Sequence, residues 1–183
     1  NDQLNASNGT NNITAASGND TITISGGTNT LDSGIDDDTL NISGGTNTLD
    51  TGAGSDTITI SGGTNTLDAG ADNDIINVTG GTNTLNAGSG NDAISLTAGI
   101  HTVNAGSGDD TITASGGASN VDIRSLDGGD GIDKLDIIST GNVTLPTAKN
   151  VESFFISDTV HQSLDFSFST SLDGIELDSG TTI

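Results

Sequence analysis

Eighteen residues return four times between Ile24 and Ser95, and this period constrains the fold more than any other property of the chain. Ile24-Ser25-Gly26-Gly27-Thr28-Asn29-Thr30-Leu31-Asp32 comes back as Ile42 to Asp50, Ile60 to Asp68 and, with some drift, Val78 to Asn86. The other half of each unit keeps a looser skeleton, as in Gly52-Ala53-Gly54-Ser55-Asp56-Thr57-Ile58 and Gly88-Ser89-Gly90-Asn91-Asp92-Ala93-Ile94. A fixed period near twenty residues means stacked coils, each burying its apolar side against the next copy, rather than one globular core. The register extends with decay to Ser7–Ile13 upstream and to Thr97–Val103 and Ser115–Val121 downstream.

Each unit holds two short alternating runs. In Thr21-Ile22-Thr23-Ile24-Ser25 the Ile residues share one face, and in Thr30-Leu31-Asp32-Ser33 Leu and a small residue do. Glycine pairs separate the runs, which therefore read as strands joined by tight turns. Stacking predicts three inward apolar columns. One is Leu4, Ile22, Leu40, Ile58, Ile76, Ile94, Ile112; another is Ala6, Ile24, Ile42, Ile60, Val78, Leu96, Ala114; the third is Ile13, Leu31, Leu49, Leu67, Leu85, Val103, Val121. A fourth column is small: Ala15, Ser33, Thr51, Ala69, Ala87, Ala105.

Hydrophobic residues make up only 30% of the 183 and aromatics 2%, a composition that alone would suggest disorder. The regular placement of those few apolar residues argues for order instead. Net charge is −22, from 25 acidic and 3 basic side chains, and no Lys or Arg precedes Arg124. Nucleic acid and anionic membranes are thus poor partners, and cations are the natural ones. Cysteine is absent, which excludes disulfides and thiolate chemistry. No apolar run is long enough for a helix that crosses a membrane, so membrane insertion is not expected. Asn1-Asp2-Gln3-Leu4 aligns with Asn19-Asp20-Thr21-Ile22, so the chain opens in mid-repeat and reads as a piece of a longer repetitive protein.

The first half-unit follows x-Gly-x-Gly-x-Asp-x-apolar-x, most fully in Gly128-Gly129-Asp130-Gly131-Ile132-Asp133-Lys134-Leu135-Asp136. This resembles the glycine-rich nonapeptide of the repeats-in-toxin (RTX) family, over roughly residues 1–137. The resemblance implies a parallel β-roll whose turns hold Ca2+ between coils through the Asp carboxylate and main-chain carbonyls. The implied ligands are Asp20, Asp38, Asp56, Asp74, Asp92, Asp110 and Asp133, with Asp2, Asp36, Asp72 and Asp130 as further candidates. The implied carbonyls lie near Gly52, Gly54, Gly88, Gly90, Gly106, Gly108, Gly129 and Gly131. Elementary electrostatics points the same way. Carboxylates one rung apart, about 4.8 Å, repel by roughly 3–4 kcal/mol per pair at an effective dielectric near 20. With no Lys or Arg to offset this, a hard divalent cation with oxygen ligands is the remedy.

The second half-unit departs from the family pattern. Asn stands at the sixth place in Asn11, Asn29, Asn47, Asn65 and Asn83, followed by His101 and Ser119. Calcium is therefore expected along one edge, with a ladder of mutually bonded amides on the other. If those Asn side chains turn inward, Thr28 and Thr30, Thr46 and Thr48, Thr64 and Thr66, Thr82 and Thr84 point outward. The flat Thr array is similar to the surface of ice-binding solenoids, although Thr is also simply a good exposed strand residue. His101 and His161 are expected at the surface or at a coil end. No catalytic constellation stands out, and no enzyme activity is expected.

The expected fold is all-β: a right-handed parallel β-roll of about seven 18-residue coils over residues 1–123. Residues 124–183 should hold the last nonapeptide and an irregular β-rich extension or cap. The expected role is a calcium-dependent structural module of a large extracellular bacterial cell-surface protein. The tail and composition resemble RTX-containing surface-layer proteins, implying self-association, or attachment to the rest of a longer chain. Export unfolded through a narrow type I secretion channel would suit the self-repelling acidic chain. Competing readings are a stalk of a large adhesin, an ice-binding solenoid, and the calcium-binding tail of a secreted enzyme.

Overall fold

The computed structural model describes residues 1–117, 119–139, 143–144, 147–158 and 175–177, and every regular element among them is a β-strand. The first run of each unit forms β1 (Gln3–Ala6), β3 (Thr21–Ile24), β5 (Thr39–Ile42), β7 (Thr57–Ile60), β9 (Ile75–Val78), β11 (Ala93–Leu96), β13 (Thr111–Ala114) and β15 (Lys134–Ser139). The second run forms β2 (Thr10–Thr14), β4 (Thr28–Asp32), β6 (Thr46–Asp50), β8 (Thr64–Asp68), β10 (Thr82–Ser89), β12 (Gly99–Ser107) and β14 (Val121–Asp130). Shorter pieces follow: β16 (Val143–Thr144), β17 (Ala148–Lys149), β18 (Ser153–Asp158) and β19 (Ile175–Leu177).

The odd strands β1 to β15, then β18 and β19, line up in one parallel sheet; the even strands β2 to β16 form the other, and β17 pairs with β14. The chain is a parallel β-solenoid of about eight turns. Strand pairing follows the sequence period, so Asn47 lies over Asn29 and under Asn65, and Leu49 between Leu31 and Leu67. Like therefore packs on like, and the core is a set of columns between the two sheets. Ile22, Leu40, Ile58 and Ile76 are fully buried, as are Ile24 and Ile60. The small column explains how thin the coil is: Ser33, Thr51, Ala69, Ala87 and Ala105 are all sealed at 0% exposure. Leu4, Ile13 and Ala15 of the first coil are partly buried and pack against the same core.

The third column departs from expectation at its last member. Val103 pairs with Leu126, and Val121 lies opposite Gly99, with a register shift between His101 and Thr102. The physical reason is the spacing of the flanking Asp residues, from Asp110 to Asp133 instead of one period. Four of the five extra residues enter between Ala114 and Val121, and one, Arg124, is absorbed within β14, so the apolar residue that fills the column comes later in the chain.

Beyond residue 124 the first sheet continues. Leu135 and Ile137 of β15 pair with Phe154 and Ile156 of β18, and Phe154 fills the column first occupied by Leu4. Within the expected β-rich extension, Leu135–Ile137, Val143–Thr144 and Ile175–Leu177 lie in strands. Leu145 and the run from Leu164 to Phe168 lie outside the described residues, as does His161.

Candidate metal centre

One edge of the solenoid is made by the turn that leads from each even strand to the next odd one. Its glycines are forced by the stacking. At Gly70, with φ of +104°, a β-carbon would lie 2.0 Å from the carbonyl oxygen of Gly52 in the coil before. No side chain fits there, so the rungs approach backbone to backbone. Two places later the turn again needs positive φ, and here Asp36 (φ 81°) and Asp72 (φ 78°) replace glycine. Asp is one of the few residues that visit this region.

The turn delivers Asp20, Asp38, Asp56, Asp74, Asp92, Asp110 and Asp133 into a single column, each no more than 2% exposed. All seven expected ligands are thus brought together. One oxygen of each is used by the fold. Asp38 Oδ1 accepts the main-chain N–H of Asp20 at 2.8 Å, Asp56 Oδ1 that of Asp38 at 2.7 Å, and Asp74 Oδ1 that of Asp56 at 2.8 Å. The pattern runs on through Asp92, Asp110 and Asp133 at 2.8 to 2.9 Å. The second oxygen, Oδ2, is buried in all seven with no hydrogen-bond partner. An orphaned buried acceptor costs about 1–3 kcal/mol, and more when it carries charge.

Burial drives the carboxyl groups toward their neutral form. It pushes Asp74 up to about 7, with the charges of Asp56, Asp92 and Asp72 adding to the effect and the Asp56 N–H opposing it. Asp56 and Asp110 rise to about 6 for the same first cause, and Asp38, Asp92 and Asp133 also rise. The column as folded is a line of buried oxygens seeking positive charge.

The further candidates sit elsewhere. Asp2 lies one rung below Asp20, exposed, and its N–H donates to Asp20 Oδ1. Asp36 is exposed, and its Oδ2 accepts the N–H of Gly18 at 2.9 Å, tying one turn to the turn before. Asp37, also exposed, accepts from Ser55 N–H at 2.9 Å. Asp72 and Asp130 have exposed side chains. The carbonyls divide into two sets. Those of Gly52 and Gly70 accept the N–H of Ala71 and Ser89, at 2.9 and 2.8 Å. Those of Gly90 and Gly108 point at the glycine two places before the next Asp, 2.0 and 1.9 Å from where a β-carbon on Gly108 or Gly131 would lie. All four carbonyls come this close to the next coil only because a side chain is missing there.

The opposite edge is chemically closed. Asn11, Asn29, Asn47, Asn65 and Asn83 form a continuous ladder, each Nδ2 donating to the Oδ1 of the next Asn at 2.7 Å. The second amide hydrogen goes back to a turn carbonyl, as from Asn65 to Gly62 at 3.1 Å. His101 ends the ladder. It is fully buried rather than at the surface, with Nδ1 3.3 Å from Asn83 Nδ2 and Nε2 2.9 Å from Ala98 O. Only a neutral ring with its proton on Nε2 satisfies both contacts. Burial accordingly lowers its pKa, against the pull of the Ala98 carbonyl. The next rung places Ile123, not Ser119, over His101. The outward Thr residues of β4, β6, β8 and β10 are exposed as expected.

Sequence reasoning missed one member of the carboxylate column. Glu152 Oε2 accepts the N–H of Asp133 at 2.8 Å, as each Asp does for the Asp one coil before it. The signal was present: Glu152-Ser153-Phe154 repeats the acid-x-apolar pattern of Asp133-Lys134-Leu135, but after period and glycines are lost.

A scan against protein-family models matches the RTX calcium-binding nonapeptide repeat (4 copies) over residues 5–40, 23–58, 41–76, 59–94 and 97–119, more than half of the chain. The chain belongs to the RTX calcium-binding nonapeptide repeat family. No curated protein and no solved structure matches it. The RTX turn fits calcium on its own chemistry. Its donors are hard oxygens, one free carboxylate oxygen per rung, with main-chain carbonyls in the same glycine-rich turn. Among the described residues no three acidic or histidine side chains converge, so carbonyls and water complete any shell. Gly128 to Asp136, the fullest nonapeptide, lies beyond the matched segments, yet Asp133 occupies the same RTX column.

Proposed function

We propose that this RTX solenoid is a calcium-dependent structural segment of a secreted bacterial cell-surface protein, of the surface-layer type. The observation that carries the reading is the row of seven Asp Oδ2 atoms, buried without partners along one edge of a thin rod. Bound Ca2+ neutralises that row and locks successive coils, while its lack leaves the acidic chain extended. Outside the cell, where calcium is abundant, the module stiffens; inside, it stays in a form suited to type I secretion. No catalytic role is assigned to it.

Titrating calcium into the metal-free chain tests the first half. Far-UV circular dichroism should gain β-structure, and the hydrodynamic radius should fall. An unchanged spectrum across the titration would remove calcium from the account. Electron microscopy of the calcium-loaded protein tests the second half: ordered two-dimensional sheets support a surface layer. Isolated rods that never associate point instead to a stalk of a large adhesin, which the same like-on-like stacking serves.

A further inference from the structure

We propose that Asp133, Glu152 and the Asn150 carbonyl form a terminal divalent-cation site that fastens the non-repetitive strands to the end of the roll. The proposal rests on the calcium-binding reading above and adds a ligand from outside the repeat. Four observations converge on it. Asp133 is fully buried, its Oδ1 accepts Asp110 N–H at 2.9 Å, and its Oδ2 has no partner. Glu152 stands on the next rung, with one oxygen on Asp133 N–H at 2.8 Å. Residues 152 and 153 both donate main-chain N–H to Asp133 O, at 3.1 and 2.9 Å, so the two acids share one turn-to-turn seam. Gly128 lets them approach. A β-carbon there would lie 1.7 Å from Asn150 O and 2.7 Å from Asp133 Oδ2, so a carbonyl and the orphaned oxygen both crowd the side of Gly128 that bears no side chain.

The basic side chains nearby are engaged elsewhere. Lys149 Nζ is 2.5 Å from Asp127, Lys134 Nζ is 2.8 Å from Asp136, and Arg124 lies against Asp122. Asn150 itself is locked by a bond from its Nδ2 to Asp127 Oδ1 at 2.7 Å and takes a positive φ of 53°, which turns its backbone at this corner. Two carboxylates and a carbonyl then meet where no basic side chain of the described residues reaches, an oxygen set for a hard divalent ion. The consequence is mechanical: the ion couples β17 and β18 to the roll.

Calcium occupancy of the full chain by native mass spectrometry and amide hydrogen exchange tests this. Glu152→Gln keeps an acceptor for Asp133 N–H but removes the charge; it should hold one calcium fewer. Calcium-induced protection of residues 148–156 should drop at least tenfold, while that of residues 57–60 is retained. Glu152→Asp, the side chain used at every other rung, should recover the ion. Equal occupancy and equal protection in Glu152→Gln overturn the site while leaving the calcium module intact. If the wild-type chain binds no calcium, the module reading falls first and this site with it. The wild type alone is also decisive, since protection of residues 148–156 that is the same with and without calcium overturns the proposal.

Discussion

Acid should do for the metal-free roll what calcium does. The carboxyl groups of Asp56 and Asp110 are raised from 3.8 to about 6 and that of Asp74 to about 7, chiefly by burial. A folded-state pKa above the unfolded one gives stability that is whole below the unfolded value and is lost as pH rises through the folded value. The window here runs from pH 3.8 up to about 7. At roughly 1.4 kcal/mol per pH unit, the ceilings are about 3 kcal/mol each for Asp56 and Asp110 and about 4 for Asp74. The column lies just beneath the solvent, so screening takes about half of that combined cost and leaves roughly 5 kcal/mol. This is comparable to the net stability of an ordinary domain, about 5–15 kcal/mol. Calcium-stripped protein should therefore show little β-structure at pH 7.5 and regain it near pH 4.5, read by far-UV circular dichroism on material shown to be monomeric by sedimentation. Calcium-loaded protein should be nearly indifferent over the same range. Identical spectra at both pH values in metal-free buffer, or less β-structure in acid, would refute the argument that buried carboxylate charge is what opposes folding.

Three substitutions probe the two edges separately. Asp74→Asn keeps the acceptor for Asp56 N–H and removes one buried charge. Metal-free stability at pH 7.5 should rise by about 1–2 kcal/mol after screening, while calorimetry should show at least tenfold weaker calcium binding at the adjoining sites. Asn65→Ala removes a partner from Asn47 Nδ2, Asn83 Oδ1 and Gly62 O. Asn47 Nδ2 keeps its bond to Gly44 O, so at about 1–3 kcal/mol for each of the other two groups, denaturant unfolding of the calcium-loaded protein should be easier by roughly 2–6 kcal/mol, with little change in calcium stoichiometry. His101 is kept neutral by burial, its pKa below 6.5, so its contribution is complete above pH 6.5 and falls as acid protonates the unfolded chain first. His101→Asn should remove that acid-side loss in calcium-loaded protein and leave the ladder closed, as melting temperatures from pH 7.5 to 5.5 will show.

The solenoid could be read from the sequence because its register is set by identity: Thr46-Asn47-Thr48-Leu49-Asp50 pairs residue for residue with Thr64 to Asp68. Six members of the Asp column followed from the same period, as did the Asn ladder, and the seventh, Asp133, from its Gly-x-Gly-x-Asp motif. What could not be read lies where the period breaks. Leu126 takes the place expected for Val121 in the third column because five extra residues enter here, four ahead of Val121 and one inside β14, and alternation alone does not say where. Glu152 was hidden because its rung keeps the acid but lacks the Gly-x-Gly context that made the other acids conspicuous. His101 looked isolated in sequence, since nothing local marks a histidine as the last member of an amide stack.

The two edges differ in need because of what each side chain can do when it meets its own copy. A fixed period places like on like, whatever the residue. An amide is both donor and acceptor, so a column of Asn satisfies itself rung by rung and has hydrogens left for the turn carbonyls. A carboxylate is acceptor only. A column of Asp can take one main-chain N–H per rung, but its second oxygen meets only another acceptor. Repetition thus seals one edge of this rod permanently and makes the other conditional on a supply of positive charge from solution. The proposed dependence on calcium follows from which residue was repeated, and it would move to the opposite edge if Asn and Asp exchanged places.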